Sequence, residues 1–362
     1  MLVTAFVRHT RFSRKLGMSI RRCVSGVVRK VSAGLVFSLF TSVAFTSGPV
    51  TAKAQDAGVK IDPALPVYRP VSGVSGSIKT VGSDTMNNLV TLWTEEFKKL
   101  YPGVKVGVDG KGSSNAIPAL VAGTSTFGPM SRDAKGSEIA DFQKKFGYKP
   151  VLVPTSIDML AVYVHRNNPI TGLSFTQLDA IFSSTRKLGA KARADTWGQV
   201  GQKGATANEE FACYGRSAAS GTYGYFKEKV LGDGDYGNWV SELPGSSAVV
   251  QSVGKNPLGI GYSGIGYRTA DVKPLAISSK PDAEPVAAEP ANAYSGQYPL
   301  SRLLYLAVNH DPRKKLDPLR AEFLRFIFSQ QGQAQVLKDG YLPVTAPIAR
   351  KALNSVGLEP KF

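Results

Sequence analysis

The chain has 362 residues, 43% hydrophobic and 20% charged, with 37 Gly and 22 Pro, which is ample for two lobes with separate cores. Its formal charge of +17 invites a nucleic-acid partner, but residues 1–54 hold Arg8, Arg11, Arg14, Lys15, Arg21, Arg22, Arg29, Lys30 and Lys53 with no acid. Beyond residue 54 the surplus falls to +8 with no long basic run, which argues against nucleic-acid binding and leaves a field that attracts small anions.

The first segment, 1–54, reads as an export signal. A basic region extends to Lys30, an apolar stretch follows over 31–45, and Ala52-Lys53-Ala54 offers a cleavage site with Gln55 as the new N-terminus. Met18 is a second start that would shorten the basic region. Arg21-Arg22 raises a twin-arginine signal, but Cys23-Val24-Ser25 fits that pattern poorly, so ordinary secretion to the periplasm is expected. A retained anchor is the alternative, because the uncharged run 31–52 is long enough to span a bilayer, although Ser, Thr and Gly dilute it. Cys213 is then the one cysteine of the mature chain, and no internal disulfide is expected. Its thiol is either activated by nearby Arg216 or a small buried hydrophobe. His165 and His310 stand far apart, and neither a metal site nor a cofactor is expected.

Residues 55–76 are rich in Pro, Gly, Ser and Val without periodicity and read as a flexible arm. From Ser77 an α/β alternation begins. A strand over 78–81 runs into Gly82-Ser83-Asp84-Thr85 and a helix with Met86, Leu89, Val90, Trp93, Phe97 and Leu100 on one face. A second strand, 104–108, leads to Gly110-Lys111-Gly112-Ser113-Ser114. A third, around Phe127, ends at Gly128-Pro129-Met130-Ser131-Arg132-Asp133. In an open α/β sheet such polar strand ends converge at the carboxyl edge, where ligands bind.

An apolar strand over 160–164 suits a first crossing between lobes. Ser174 caps a helix with Phe175, Leu178, Ile181 and Phe182 inward, and the polar stretch 187–208 reads as a surface excursion. Cys213-Tyr214-Gly215-Arg216-Ser217-Ala218-Ala219-Ser220-Gly221-Thr222 follows, opening a helix. A helix N-terminus has unpaired N–H groups and partial positive charge, Gly221 permits close approach, Ser220 and Thr222 add hydroxyls, and Arg216 supplies a forked cation. The alternative is an ordinary N-cap with Arg216 in solvent. A Gly-rich strand over 259–264, an exposed loop over 279–298, a return strand over 303–308 and a closing helix with Leu319, Phe323, Phe326 and Ile327 inward complete the pattern, without internal repeat.

Four features together resemble the phosphate-binding proteins of bacterial ABC importers: Gly82-Ser83-Asp84-Thr85 before the helix with Trp93, Gly110-Lys111-Gly112-Ser113-Ser114, Phe127-Gly128-Pro129-Met130-Ser131, and the Arg-x-x-x-Ser-Gly-Thr spacing from Arg216 to Thr222. Tyr298-Pro299-Leu300-Ser301-Arg302 and Gly340-Tyr341-Leu342-Pro343 add to the resemblance, which runs from about 77 to 345. It implies an α/β, two-lobed type II periplasmic-binding fold, each lobe a mixed sheet flanked by helices, joined by hinge strands. Lobe I is expected over 77–162 and 298–362, and lobe II over 163–297.

The resemblance further implies a monomer that holds inorganic phosphate between the lobes and delivers it to an inner-membrane ABC permease. Ser83, Asp84, Thr85, Ser113, Ser114, Ser131, Arg132, Asp133, Arg216, Ser220, Gly221 and Thr222 are the expected contacts. Two departures stand out. Arg132 takes the place where the family commonly has an aspartate that accepts the hydrogen bond of a protonated phosphate, leaving Asp133 or Asp84 for that role. Ala218 and Ala219 fill positions that often carry an acid, so Arg216 is expected to lack a local partner. Sulfate or another oxyanion is the alternative ligand. An envelope interaction protein with a structural anion is a further reading. A phosphatase using Ser113 or Ser220 is the enzymatic one, and it lacks an evident base.

Overall fold

The computed structural model describes residues 58–360; the export signal expected over 1–54 and its alternatives lie outside the described residues. No described helix is long and apolar enough to cross a membrane.

The chain enters through β1 (Ser77–Val81), α1 (Asn87–Leu100), β2 (Lys105–Asp109), α2 (Ala116–Val121), β3 (Gly128–Met130) and α3 (Gly136–Phe146). Strands β1 and β2 pair in parallel, and a bridge from Thr80 to Phe127 ties β1 to the chain entering β3. Met86, Leu89, Val90, Trp93 and Phe97 are buried as the helical spacing predicts, whereas Leu100, the last residue of α1, is exposed. Each fully buried large side chain contributes about 1.5–3 kcal/mol. Trp93 also donates its indole N–H to the Gly332 carbonyl at 2.8 Å.

Next comes β4 (Val151–His165), fifteen residues long and far beyond the strand expected over 160–164. Then follow β5 (Gly172–Ser174), α4 (Phe175–Phe182), β6 (Ala212–Arg216), α5 (Gly221–Leu231), β7 (Ser241–Leu243), α6 (Ser246–Lys255), β8 (Gly259–Gly264), β9 (Val272–Pro274), β10 (Ala276–Ser278) and α7 (Pro290–Tyr294). Ser174 caps α4 by accepting from the Gln177 amide. The 187–208 excursion is anchored from within, because Trp197 is fully buried and packs edge-on against Phe211. The chain closes with β11 (Ser301–Val308), α8 (Pro318–Ile327), α9 (Gln330–Lys338), β12 (Leu342–Pro343) and α10 (Ala346–Ser355).

The main sheet runs β3-β11-β4-β8-β6-β7. β11 pairs antiparallel with residues 151–159 of β4, and β8 pairs with residues 160–164. One continuous strand therefore belongs to two sheet halves. Each half has its own core: Trp93, Phe97, Phe127 and Phe323 dominate one, and Phe182, Trp197, Phe226 and Tyr262 the other. This is the mixed α/β, two-lobed arrangement expected from the sequence.

The stretch expected as a flexible arm is instead strapped to the first core over its described part. Leu65 and Tyr68 are buried, the Tyr68 hydroxyl lies 2.7 Å from that of Tyr101 and donates to Glu322, and Gln330 donates to the Leu65 carbonyl. Asp62 accepts from the Ala346 amide, capping α10. Two apolar anchors and a capping acid outweigh a composition that looks disordered.

Candidate functional site

The three Gly/Ser/Thr-rich strand ends do converge. The first continues β1: the Ser83 amide donates to the Pro129 carbonyl at 2.7 Å, and Ser83 Oγ donates to Ser131 Oγ at 2.9 Å. The second follows β2, where the Ser131 amide donates to Ser113 Oγ at 3.0 Å and the two hydroxyls stand 3.3 Å apart. Ser83, Ser113 and Ser131, all buried, thus form one hydroxyl cluster on the first core.

The N-terminus of α5 faces this cluster. Ser220 caps the helix, accepting from the Thr222 and Tyr223 amides. A Cβ on Gly221 would lie 2.3 Å from Ser113 Oγ and 2.5 Å from Ser131 Oγ, so only glycine lets the helix come this close. Gly112, at φ +101°, has the same role in reverse: its Cβ would sit 2.4 Å from the Ala219 carbonyl. That carbonyl accepts from the Ser114 amide at 3.1 Å. Thr85 and Thr222 close the arrangement, their hydroxyls 2.8 Å apart.

Arg216, at the end of β6, is 1% exposed. Its Nη1 donates to Ser246 Oγ at 2.6 Å and its Nη2 to Asp84 Oδ2 at 3.0 Å. As expected, its own loop supplies no acidic partner, but its charge is not left free for a ligand, because Asp84 pairs with it from the opposite side. Burial pulls the guanidinium below its ordinary value, and the Asp84 charge opposes that shift. Its Nε–H is buried without a hydrogen-bond partner. A solvated Arg216 is excluded.

Arg132 and Asp133 do not join the cluster. The Arg132 guanidinium forks onto Glu138, with Nη2–Oε1 at 2.6 Å and Nη1–Oε2 at 2.9 Å, while giving Nη1 to the Asp133 carbonyl and Nη2 to Ser114 Oγ. Glu138 is held for this by also accepting from the Lys135 amide at the start of α3. Ser114 therefore bridges Arg132 to the Ala219 loop and lies at the edge of the site. Asp133 is exposed, and its charge helps to raise the pKa of the nearby Tyr305 hydroxyl.

Sequence reasoning missed Arg302 and Asp158. Arg302, on β11, donates Nε and Nη2 to Asp158 Oδ2, Nη1 to the Ser131 carbonyl at 2.8 Å, and Nη2 to Thr222 Oγ1 at 2.9 Å. The Tyr298-Pro299-Leu300-Ser301-Arg302 motif was the available signal. Tyr267 and Tyr341 add hydroxyls to the carbonyls of Asp84 and Thr85. Cys213 is buried and its thiol is pushed up to about 12 by desolvation, which fits a small hydrophobe and not an activated nucleophile. Two cavities, of about 370 and 260 Å³, lie between α2 and α3 and beside α4, and neither is lined by Ser83, Ser113, Ser131 or Arg216.

Three buried hydroxyls, a capped helix start and a buried arginine, brought together from two cores, define a two-lobed protein suited to holding an oxyanion. Residues 68–331 match the PBP superfamily domain model. The chain is 52% identical over 305 residues to the phosphate-binding protein PstS of Pseudomonas aeruginosa, covering 84% of this chain and 94% of that one. It belongs to the PBP superfamily and, within it, to the PstS family of phosphate-binding proteins. Among solved structures it is similar to a protein of Clostridium perfringens described as a phosphate ABC transporter substrate-binding protein with bound phosphate. That match has a TM-score of 0.62 and 25% identity, covering 74% of this chain and 100% of that one. An ABC-type phosphate transport receptor from Vibrio cholerae shares the fold, with a TM-score of 0.58 and 24% identity over 74% of this chain and 100% of that one.

Proposed function

We propose that this protein captures inorganic phosphate between its two lobes and delivers it to an inner-membrane ABC permease. It acts in the periplasm as a monomer, after export through a cleavable signal over 1–54. Lobe I comprises 77–162 and 298–362 and lobe II 163–297, with β4 as the strand shared by both and the return crossing just before β11. The observation that carries the reading is the convergence of Ser83, Ser113 and Ser131 on the α5 N-terminus, with the buried Arg216 joined to Asp84, the residue after Ser83. Ser83, Thr85, Ser113, Ser131, Arg216, Ser220, Gly221 and Thr222 hold the anion. Ser114 and Arg132 support the rim, and Asp133 takes no part. Anion attraction raises the capture rate, and closure strengthens each hydrogen bond by excluding water.

Sulfate is the second reading, favoured because Arg132 stands where an acceptor is common and is itself forked onto Glu138. An enzymatic role has less support, because the hydrogen bonds of Ser113 and Ser220 run to amides and a hydroxyl, with no base. The test is calorimetric titration of the purified protein with phosphate and then sulfate from pH 5 to 8.5, after unfolding and dialysis to strip carried-over ligand. Tight phosphate binding with sulfate ignored is expected. Equal binding of both favours the broader oxyanion reading, and binding of neither ends both.

A further inference from the structure

Asp84 sits on the ligand-facing loop after β1, yet its carboxylate points away from the serine cluster's own lobe. Its Oδ2 accepts from Arg216 Nη2 at 3.0 Å and from the Ser246 amide, the first of α6, at 2.8 Å. Tyr267, beyond β8, donates its hydroxyl to the Asp84 carbonyl at 2.9 Å. Gly245 has its Cα directly against this carboxylate, since a Cβ there would lie 3.3 Å from Oδ1. Three separate segments of the second core therefore grip one residue of the first.

The sequence explains why the grip is needed. Arg216 is buried, and a buried guanidinium without a carboxylate is costly. With Ala218 and Ala219 in its own loop, the acid in its hydrogen bonds comes across the interface. When the lobes part, Arg216 loses that partner, Ser246 loses the acceptor of its helix-start N–H, and Tyr267 loses its acceptor.

We propose that Asp84 is a positioning residue, a clasp that favours the closed arrangement of the lobes whatever anion they hold, and not a direct acceptor for the proton of phosphate. This rests on the phosphate-capture reading for its ligand but not for its geometry. A group that stabilises only the closed state raises the closed population and slows release, because apparent affinity scales with the competent fraction.

The experiment compares wild type with Asp84→Asn and Asp84→Ala, using stopped-flow dissociation of phosphate and of sulfate together with small-angle scattering of anion-free protein. Tyr267→Phe, which removes the hydroxyl that donates to the Asp84 carbonyl across the interface, is the variant to use should Asp84→Ala fail to fold. Expected is a loss of roughly 10- to 100-fold in affinity for every anion the wild type binds, carried by faster release. A larger radius of gyration of the variants without anion is expected as well. Loss of phosphate with sulfate retained or gained would overturn the clasp and make Asp84 the proton acceptor. Unchanged release and unchanged scattering would also overturn it. Failure of the wild type to bind phosphate would sink the capture reading alone, because scattering reads the clasp without any ligand.

Discussion

Asp158 and Arg302 face each other from neighbouring strands, with Arg302 Nε and Nη2 at 2.9 and 2.6 Å from the same carboxylate oxygen. Both side chains are almost wholly buried. The second carboxylate oxygen accepts from the Ile265 amide at 3.0 Å, and the remaining guanidinium N–H groups reach the Ser131 carbonyl and Thr222 Oγ1. The pair thus touches the β3 end, the α5 start and the chain after β8 at once.

Removing one member leaves a buried charge unpaired. Asp158→Ala or Arg302→Ala is expected to lower stability by about 3–5 kcal/mol, measured by urea unfolding. Arg302→Lys keeps the charge but not the fork, so it is expected to recover stability only in part while still weakening anion binding. A variant as stable as wild type would mean the pair is solvated in solution.

Gly221→Ala inserts a Cβ 2.3 Å from Ser113 Oγ and 2.5 Å from Ser131 Oγ. The added methyl acts only when the lobes meet, so phosphate affinity is expected to fall by 100-fold or more, on the order of 3 kcal/mol, while the unfolding midpoint without ligand shifts little. Calorimetry and thermal unfolding on one sample separate the two effects.

Asp133→Asn tests the placement of that carboxylate outside the cleft. With the side chain exposed, phosphate affinity is expected to stay within about twofold of wild type, well under 1 kcal/mol. A tenfold loss would place Asp133 at the anion after all.

Asp339, next to the Gly340 turn, has its carboxyl pushed up to about 7 by burial, with the Asp158 charge adding to the shift. One of its oxygens has no hydrogen-bond partner. A carboxyl with a raised folded value holds its proton better when folded, so its contribution is complete below about pH 4 and is lost as pH rises toward 7. Asp339→Asn removes that loss: its stability relative to wild type is expected to rise between pH 4 and 8, by about 1–3 kcal/mol at the upper end. Urea midpoints across that range give the answer, and parallel profiles for the two proteins would refute it.

What was legible in the sequence was local. Strand periodicity, the Gly/Ser/Thr content of each strand end and the Ser220-Gly221-Thr222 helix start are each written within a stretch of about ten residues or fewer. The partner of Arg216 was not, because Asp84 lies 132 positions away and nothing in either loop announces the other. Arg132 was expected at the anion for the same reason, although Glu138, three residues past Lys135 at a helix start, is a capping signal that hints where a nearby guanidinium would turn. The 58–76 strap was hidden because Leu65 and Tyr68 are single anchors without a period. Asp158 and Arg302 meet only through pairing of β4 with β11, a fact of topology.

That pairing also orders the birth of the molecule. β11 lies between β3 and β4 in the sheet, so the half built first in sequence stays missing a central strand until residue 308 has been delivered. The other half needs only β4, β6, β7 and β8, all present by residue 264. Long-range strand insertion is slow relative to nearer contacts. The later-encoded lobe is therefore expected to acquire protected amides first in pulsed hydrogen exchange, with the N-terminal lobe waiting, its sheet split, for the C-terminal chain to fill the gap.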